Sequence, residues 1–204
     1  MRHDIASPID LRLMSDAREW ESMAMSKRPC RTEFFSEFAT AIRTATVPVG
    51  RVLELGSGPG FLAEHLLSAL HSIAYVAFDF SPAMHELAAA RLGPHASRLQ
   101  FVERSFKTPN WAQGLGVFEA IVTNQAVHEL RHKRYARLLH EQAKKLLSHG
   151  GVYLVCDHFV GEGGMKNDQL YMTVEEQSQT LSDAGFSKVE QLLLKGGMVL
   201  HRST

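Results

Sequence analysis

The sequence predicts an α/β fold in which a doubly wound, mostly parallel sheet carries helices on both faces. Short apolar runs recur along the chain, and amphipathic helical segments separate them. One of these runs, Val52–Leu55, turns abruptly into the glycines Gly56, Gly58 and Gly60. Strands buried on both faces have continuous apolar character, and their alternation with helices is typical of a parallel sheet.

Two helical segments precede this first strand, between Ser15 and about Ala45. Pro29 separates them, because proline is poorly tolerated in a helix interior. The second segment carries Phe34, Phe35 and Phe38 on one face, which indicates core packing.

Four further apolar segments follow the first strand and complete the predicted parallel part of the sheet: Ile73–Phe78, Leu99–Val102, Ile121–Val122 and Val152–Cys156. The end of the chain has a different pattern. Val189–Leu194, a Gly-Gly pair and Met198–His201 are typical of an antiparallel hairpin with a glycine turn.

The first strand, its glycine turn and the following helix predict a cofactor site at the carboxyl end of the strand. A dinucleotide fingerprint would need a small residue where Phe61 stands, and a phosphate-binding P-loop would need a Lys and a Ser or Thr after the last glycine. Glu54 would also repel a pyrophosphate. A carboxylate beside the turn instead suits a ligand that carries positive charge.

Glu54 to Gly60 resembles motif I of the class I S-adenosylmethionine-dependent methyltransferases, an acidic residue followed by a G-x-G-x-G turn. Asp79 matches the acid with which the family holds the ribose hydroxyls. Phe80–Met84 resembles the start of the family's next helix, with Ser81 as a cap and Pro82 at the first helical position. The resemblance implies a Rossmann-like sheet of seven strands in the order 3-2-1-4-5-7-6, with N-terminal helices.

The resemblance also implies a division of labour along the chain. Residues 1–48 would form an N-terminal helical cap on the substrate side, and residues 49–204 would bind S-adenosyl-L-methionine, with S-adenosyl-L-homocysteine as the product. Where the family has an acid that receives the adenine amino group, this chain has Ser105. The implied cofactor-binding residues are Glu54, Gly56, Ser57, Gly58, Gly60, Phe61, Asp79, Phe80, Ser81, Met84, Ser105, Phe106, Asn124 and Gln125.

The implied reaction transfers a methyl group to a small-molecule acceptor. A base is needed only if the attacking atom of the acceptor begins protonated. His128, which follows the fourth strand, is the first candidate, and Asp157 and His158 at the end of the fifth strand are the others, although a lone histidine at such a position is more often structural. Together with Asn124 they could imitate the metal site of catechol-type O-methyltransferases, but the matching acids are incomplete, so no metal is expected.

Other functions remain open. The same fold could serve as a non-catalytic S-adenosylmethionine-binding or interaction protein, or methylate RNA or protein. His128–His132 reads HELRH, the zinc-hydrolase pattern, which requires both histidines on one helical face and a third ligand. A nucleic-acid acceptor is disfavoured because Lys plus Arg and Asp plus Glu both number 22. The N-P-P-aromatic tetrapeptide of amino-methylating nucleic-acid enzymes is also lacking after the fourth strand.

The remaining features predict an ordinary cytoplasmic protein, either a monomer or a homodimer. No run of about eighteen apolar residues could span a membrane, and Met1–Ile5 lacks the apolar core of a secretory signal. The basic residues from Arg131 to Arg137 are expected on the solvated face of a helix whose buried side includes Leu138 and Leu139. The glycine-rich segment 161–168 could be a mobile lid or a plain connection.

Overall fold

The structure, a computed structural model, describes residues 4–204. Met1, Arg2 and His3, part of the predicted N-terminal segment, lie outside the described residues. The helices are α1 (Met14–Lys27), α2 (Arg31–Arg43), α3 (Phe61–Ala69), α4 (Pro82–Leu92), α5 (Ala136–Leu146) and α6 (Val174–Asp183). The strands are β1 (Arg51–Leu55), β2 (Ala74–Asp79), β3 (Leu99–Glu103), β4 (Phe118–Asn124), β5 (Leu147–His158), β6 (Val189–Lys195) and β7 (Met198–Ser203).

The strands form one seven-stranded sheet in the order β3-β2-β1-β4-β5-β7-β6, which confirms the predicted fold. β1 pairs in parallel with β2 and with β4, whereas β7 is antiparallel to both of its neighbours. The strand order reverses between β1 and β4. In an open parallel sheet, ligands bind at such a switch point, beyond the carboxyl ends of the strands.

The core has two layers, one on each face of the sheet. Val52 and Val122 face α2 and α3, together with Phe34 and Phe38. Leu53 and Ile121 face the opposite layer, which contains α5 and α6. Adjacent residues of one strand therefore enter different cores, as the alternating side-chain directions of a strand require.

The two N-terminal helices form as predicted, with Pro29 in the turn between α1 and α2. Phe34, Phe35 and Phe38 are buried against the sheet. Within residues 4–204, no helix combines the length and the apolarity that crossing a membrane requires.

The segment after β4 differs from the prediction. Two short 3₁₀ turns, Val127–Leu130 and Lys133–Tyr135, precede α5. Within α5, Leu139, Ala143 and Leu146 face the core at helical spacing, so the neighbouring Leu138, predicted to be buried, lies beside this stripe and is 56% exposed.

The fifth strand also begins earlier than predicted, at Leu147 rather than at Val152. Gly150 and Gly151 therefore lie within β5, where the pairing with β4 contains an irregularity. Gly150 has a φ of 78°, and a Cβ on Gly151 would lie 3.0 Å from the carbonyl oxygen of Glu119. The two glycines thus permit a close passage of β5 past β4.

Candidate active site

A cavity of about 390 Å³ opens at the carboxyl ends of β1, β2 and β4. All but two of the predicted cofactor-binding residues line it, and so do His128 and His158. The lining residues from the prediction are Glu54, Gly56, Ser57, Gly58, Phe61, Asp79, Phe80, Met84, Ser105, Phe106, Asn124 and Gln125. Gly60, Ser81 and Asp157 lie outside this lining.

The glycine turn after β1 is fixed by backbone bonds to β2. The amides of Gly56 and Ser57 both donate to the carbonyl of Phe78, at 2.8 and 3.0 Å. Gly56 has a φ of 74°, and a Cβ there would lie 2.4 Å from Cβ of Ala126. Gly58 has a φ of 54° and open space where a Cβ would stand. The turn therefore needs glycine both for its left-handed backbone and for close approach.

Asp79 closes this turn from the end of β2. One carboxylate oxygen accepts from the amide of Gly58 at 2.8 Å, and the other accepts from the amide of Ser81 at 2.9 Å. Burial raises the pKa of Asp79, although these two hydrogen bonds act in the opposite direction. The carboxylate is held rigidly at the cavity surface, where it can receive hydroxyl donors.

Gly60 and Ser81 support the site without lining it. Gly60 lies at the start of α3 with a φ of 85°, and a Cβ there would lie 3.0 Å from Leu92. Ser81 caps α4 by accepting from the amide of Met84 and donates to the carbonyl of Leu11. Both residues therefore set the position of neighbouring elements.

Glu54 is a buried acid at the floor of the cavity, only 2% exposed. The hydroxyl of Tyr75 donates to it at 2.9 Å. Burial raises the pKa of Glu54 to about 8, an effect that exceeds the opposing hydrogen bond from Tyr75. A cation placed beside this carboxyl group would favour its ionised form.

Ser105 stands at the position where the family has an acid that receives the adenine amino group. Ser105 and its neighbour Phe106 both line the cavity. The hydroxyl of Ser105 already accepts from the amide of Lys107 at 3.2 Å. Arg104 and Lys107, which the sequence argument did not single out, also line this part of the cavity.

His128 and Asp157 form a buried pair that joins the loop after β4 to the end of β5. Nδ1 of His128 lies 2.7 Å from one oxygen of Asp157, and the amide of His128 donates to the other oxygen at 2.9 Å. Nε2 of His128 lies 3.4 Å from the carboxylate of Glu129. Burial by itself would lower the pKa of His128, but the charge and hydrogen bond of Asp157 raise it well above its ordinary value.

His158 is held in a chain of side-chain hydrogen bonds. Nε of Arg31 donates to Oε1 of Gln125 at 2.7 Å, and Nε2 of Gln125 lies 3.0 Å from Nε2 of His158. An amide nitrogen only donates, so this ring nitrogen of His158 is an acceptor. Burial lowers the pKa of His158 to about 4, even though Asp157 acts in the opposite direction. His158 is therefore neutral, with its Nε2 already engaged.

Arg131, predicted on a solvated helix face, is instead 8% exposed and lines the cavity. Its guanidinium donates to the carbonyls of Ile5 and Ala6, at 2.8 and 2.6 Å. The amide of Ile5 donates back to the carbonyl of Arg131 at 2.9 Å. These bonds hold the N-terminal segment across the cavity, and Ser7, Ile9, Asp10, Leu11 and Arg12 complete the lining there.

The N-terminal helices contribute Trp20, Arg31 and Phe35 to the cavity lining. The glycine-rich segment 161–168 contributes nothing to it. Instead, one isolated β-bridge joins Val160, just before this segment, to Met165 within it, and another joins Phe159 to Met172, which lie on either side of the segment.

The HELRH sequence does not adopt the geometry of a zinc site. His128 lies in the 3₁₀ turn, whereas Arg131 has a φ of 68° that ends the turn before His132. The two histidines therefore do not share a helical face. Among residues 4–204, no group of three potential metal ligands is close enough to hold an ion.

The strand order and the cavity at its switch point define a class I methyltransferase fold. Residues 52–151, from β1 into β5, match the family model described as methyltransferase domain. Over this segment the chain is similar to the methyltransferase-domain family, which supports S-adenosylmethionine-dependent methyl transfer. No curated protein sequence is significantly similar to it.

Solved structures share this fold at low sequence identity. An O-methyltransferase family protein from Burkholderia thailandensis superposes with a TM-score of 0.73 and 18% identity, over 93% of this chain and 59% of its own. DhpI in complex with SAH gives 0.67 and 17%, over 95% of each chain. The glycopeptide N-methyltransferase MtfA, complexed with S-adenosyl-L-methionine, gives 0.65 and 19%, over 83% of this chain and 91% of its own. This chain therefore spans about 59% of the first of these proteins.

We predict that Asp157→Ala lowers the free energy of unfolding by about 3 kcal/mol, because it leaves the buried His128 without its partner. Urea denaturation at pH 7 measures this change. The matched control is Glu141→Ala, which removes an exposed i,i+4 pair with Arg137 and should cost about 0.5 kcal/mol. Equal, small losses for both variants would contradict a stabilising role for the buried pair.

Proposed function

We propose that this chain transfers a methyl group from S-adenosylmethionine to a small-molecule acceptor. The observation that carries the proposal is the carboxylate of Asp79, fixed by Gly58 and Ser81 at the surface of a cavity at the sheet's switch point. Two free lone-pair directions on such a carboxylate suit the vicinal hydroxyls of a ribose. The match of residues 52–151 to the methyltransferase-domain family supports the same assignment.

The cavity residues fit this cofactor along its length. Asp79 would receive the ribose hydroxyls, Ser105 and Phe106 would flank the adenine, and the glycine turn would face the amino-acid part. Glu54 offers a buried carboxyl group to the cofactor's ammonium. When bound, S-adenosylmethionine supplies a methyl group already activated by the positive charge on sulfur.

The N-terminal segment would exclude water from the reaction. Its residues Ser7 to Arg12 line the cavity, and Arg131 fixes it there through the carbonyls of Ile5 and Ala6. We therefore infer that residues 1–48 act as a cap on the substrate side, with residues 49–204 binding the cofactor. Alignment of reactants in a closed site can lower the activation free energy by on the order of 7 kcal/mol.

His128 is the residue we propose for the acceptor's proton. Its Nδ1 is occupied by Asp157, so Nε2 is the atom that would face an acceptor in the cavity, where the acceptor would have to displace the contact of Nε2 with Glu129 at 3.4 Å. Asp157 acts through His128 as a positioning residue. His158 does not take this role, because Gln125 donates to its Nε2 and its neutral ring has a low pKa.

A small acceptor suits the enclosed cavity, which the N-terminal segment and helices α1 and α2 cover. The O- and N-methyltransferases that share the fold act on different atoms, so the atom methylated here is not assigned by the fold. The chain has 22 basic and 22 acidic residues and therefore lacks the basic excess that favours binding to a nucleic-acid backbone.

Calorimetric titration tests the cofactor site. The parent chain should bind S-adenosylhomocysteine and give no signal with NAD, whereas Asp79→Asn should bind it about ten- to hundredfold more weakly, since charged hydrogen bonds contribute about 1.5–3 kcal/mol. Asp168→Ala, an exposed acid outside the cavity, is the control that should bind like the parent. Absence of binding by the parent would refute the proposed cofactor.

Proton release tests the role of Glu54. With its pKa near 8, most of this carboxyl group is protonated at pH 7, and an ammonium beside it would lower that pKa. Binding of S-adenosylhomocysteine at pH 7 should therefore release a proton, and affinity should rise as the pH approaches 8. Calorimetry in two buffers of different ionisation enthalpy measures the release, and Glu54→Gln should abolish it. An unchanged proton count in the variant would exclude Glu54 as the source.

A separate test addresses the role of His128 in removing the acceptor's proton. It requires an acceptor that the enzyme methylates. Because the pKa of His128 is raised, kcat/KM should increase with pH on the alkaline side of neutrality, as the ring loses its proton. Asp157→Asn removes the charge that raises this pKa, so the rising limb should move to lower pH. His128→Ala should lower kcat by about a hundredfold or more. A pH profile that neither variant alters would show that His128 is only structural.

A further inference from the structure

We propose that Arg31, at the start of α2, binds the carboxylate of the cofactor's amino-acid tail. This inference rests on the proposed function, because it assigns one end of the same cavity. It adds a ligand contact that no sequence motif identified, from a helix outside the matched domain segment.

Arg31 is buried, 6% exposed, and lines the cavity. Its Nε is fixed by Gln125, and its guanidinium carbon lies 5.3 Å from the centre of the Trp20 ring. Its NH1 nitrogen is buried without any hydrogen-bond partner. The planar group is thus oriented by two neighbours while one of its donor nitrogens is left unused.

This guanidinium has no acidic partner within the described part of the chain. The ion pairs of residues 4–204 do not include Arg31, and the charge that acts on it most strongly is the like charge of Arg28. Burial and Arg28 together lower the pKa of Arg31 to about 10, so the side chain is still a cation at neutral pH. A buried cation without a counter-ion is costly, and an anionic ligand would remove that cost.

The position of Arg31 along the sheet edge indicates which anion. Asp79 ends β2, the glycine turn follows β1, and Gln125, which holds Arg31, follows β4. Neighbouring strands lie about 4.8 Å apart, so the end of β4 is roughly 10 Å from the end of β2. From the ribose C5′ to a carboxylate oxygen the cofactor has six bonds of about 1.5 Å, a span of roughly 8 Å.

A ribose held at Asp79 would therefore place the tail's carboxylate at Arg31. The acceptor side lies beside it, where Asp157 and His158 end β5 and His128, from the loop after β4, pairs with Asp157. Glu54 lies between these positions, on β1, where it would face the ammonium. The cavity thus offers the carboxyl group of Glu54 for the ammonium and the guanidinium of Arg31 for the carboxylate, in the order that a zwitterionic tail requires.

The test compares two ligands in four proteins by calorimetry. The ligands are S-adenosylhomocysteine and 5′-deoxy-5′-(3-aminopropylthio)adenosine, which lacks only the carboxylate. The proteins are the parent, Arg31→Met, Arg31→Lys and the control Arg43→Met, which removes an exposed arginine from the other end of α2. Thermal unfolding of each protein establishes that it is folded.

We expect the parent and Arg43→Met to bind S-adenosylhomocysteine about ten- to hundredfold more tightly than the analogue, as a charge-assisted pair implies. In Arg31→Met this preference should fall to within about twofold, while affinity for the analogue stays near that of the parent. Arg31→Lys, which keeps the charge without the bidentate fork, should retain part of the preference. It also carries the test if the Met variant does not fold.

Two results would overturn the proposal. A preference that survives in Arg31→Met and Arg31→Lys would place the carboxylate elsewhere, and equal weakening of both ligands would show that Arg31 only supports the shape of the cavity. Failure of the parent to bind S-adenosylhomocysteine would instead overturn the proposed function itself, before any variant is compared.

Discussion

The carboxylate of Asp79 is the point on which the geometry of the site depends. Through Gly58 it fixes the turn after β1, and through Ser81 it fixes the start of α4, so one side chain at the end of β2 positions both neighbouring elements. Because the Asp79 carboxylate is buried, water cannot readily replace these two amides as its hydrogen-bond donors. The ribose-binding group and the support of the glycine turn are therefore the same side chain, and the ligand site is formed before a ligand arrives.

A second buried acid, Asp157, has the corresponding role on the other side of the switch point. It receives both the ring and the amide of His128, and the amide of His158 as well. The loop after β4 is thereby fastened to the end of β5, and the imidazole is held in one orientation. The cavity is thus bounded by two rigid acid-centred supports, with Arg31 and Gln125 between them on the β4 side.

The fold could be predicted from the sequence because its signals are local: apolar strands, a glycine turn and a terminal hairpin each determine their own backbone. Gly60 and Ser81 were also identified from local motifs, and the resemblance implied that both contact the ligand. Their contacts show instead that Gly60 permits close packing at the start of α3 and that Ser81 caps α4. Arg131 was wrongly predicted to be exposed because helical periodicity reflects only residues close in sequence. Its partners Ile5 and Ala6 are more than a hundred residues away in the chain. Leu138 was wrongly predicted to be buried because the buried face of α5 is centred on its neighbour Leu139. Nothing in the sequence distinguishes Arg31 from other arginines; only its unused nitrogen in the cavity does.

The attachment of the N-terminal segment to Arg131 has a kinetic consequence. Since this segment forms part of the cavity lining, its displacement enlarges the opening, and it is retained by a few hydrogen bonds and by the packing of Leu11 against a small apolar cluster. Such an attachment can open locally at a much smaller free-energy cost than global unfolding. Release of S-adenosylhomocysteine would then require local opening of residues 5–12. This opening, rather than methyl transfer, would be the step that limits turnover.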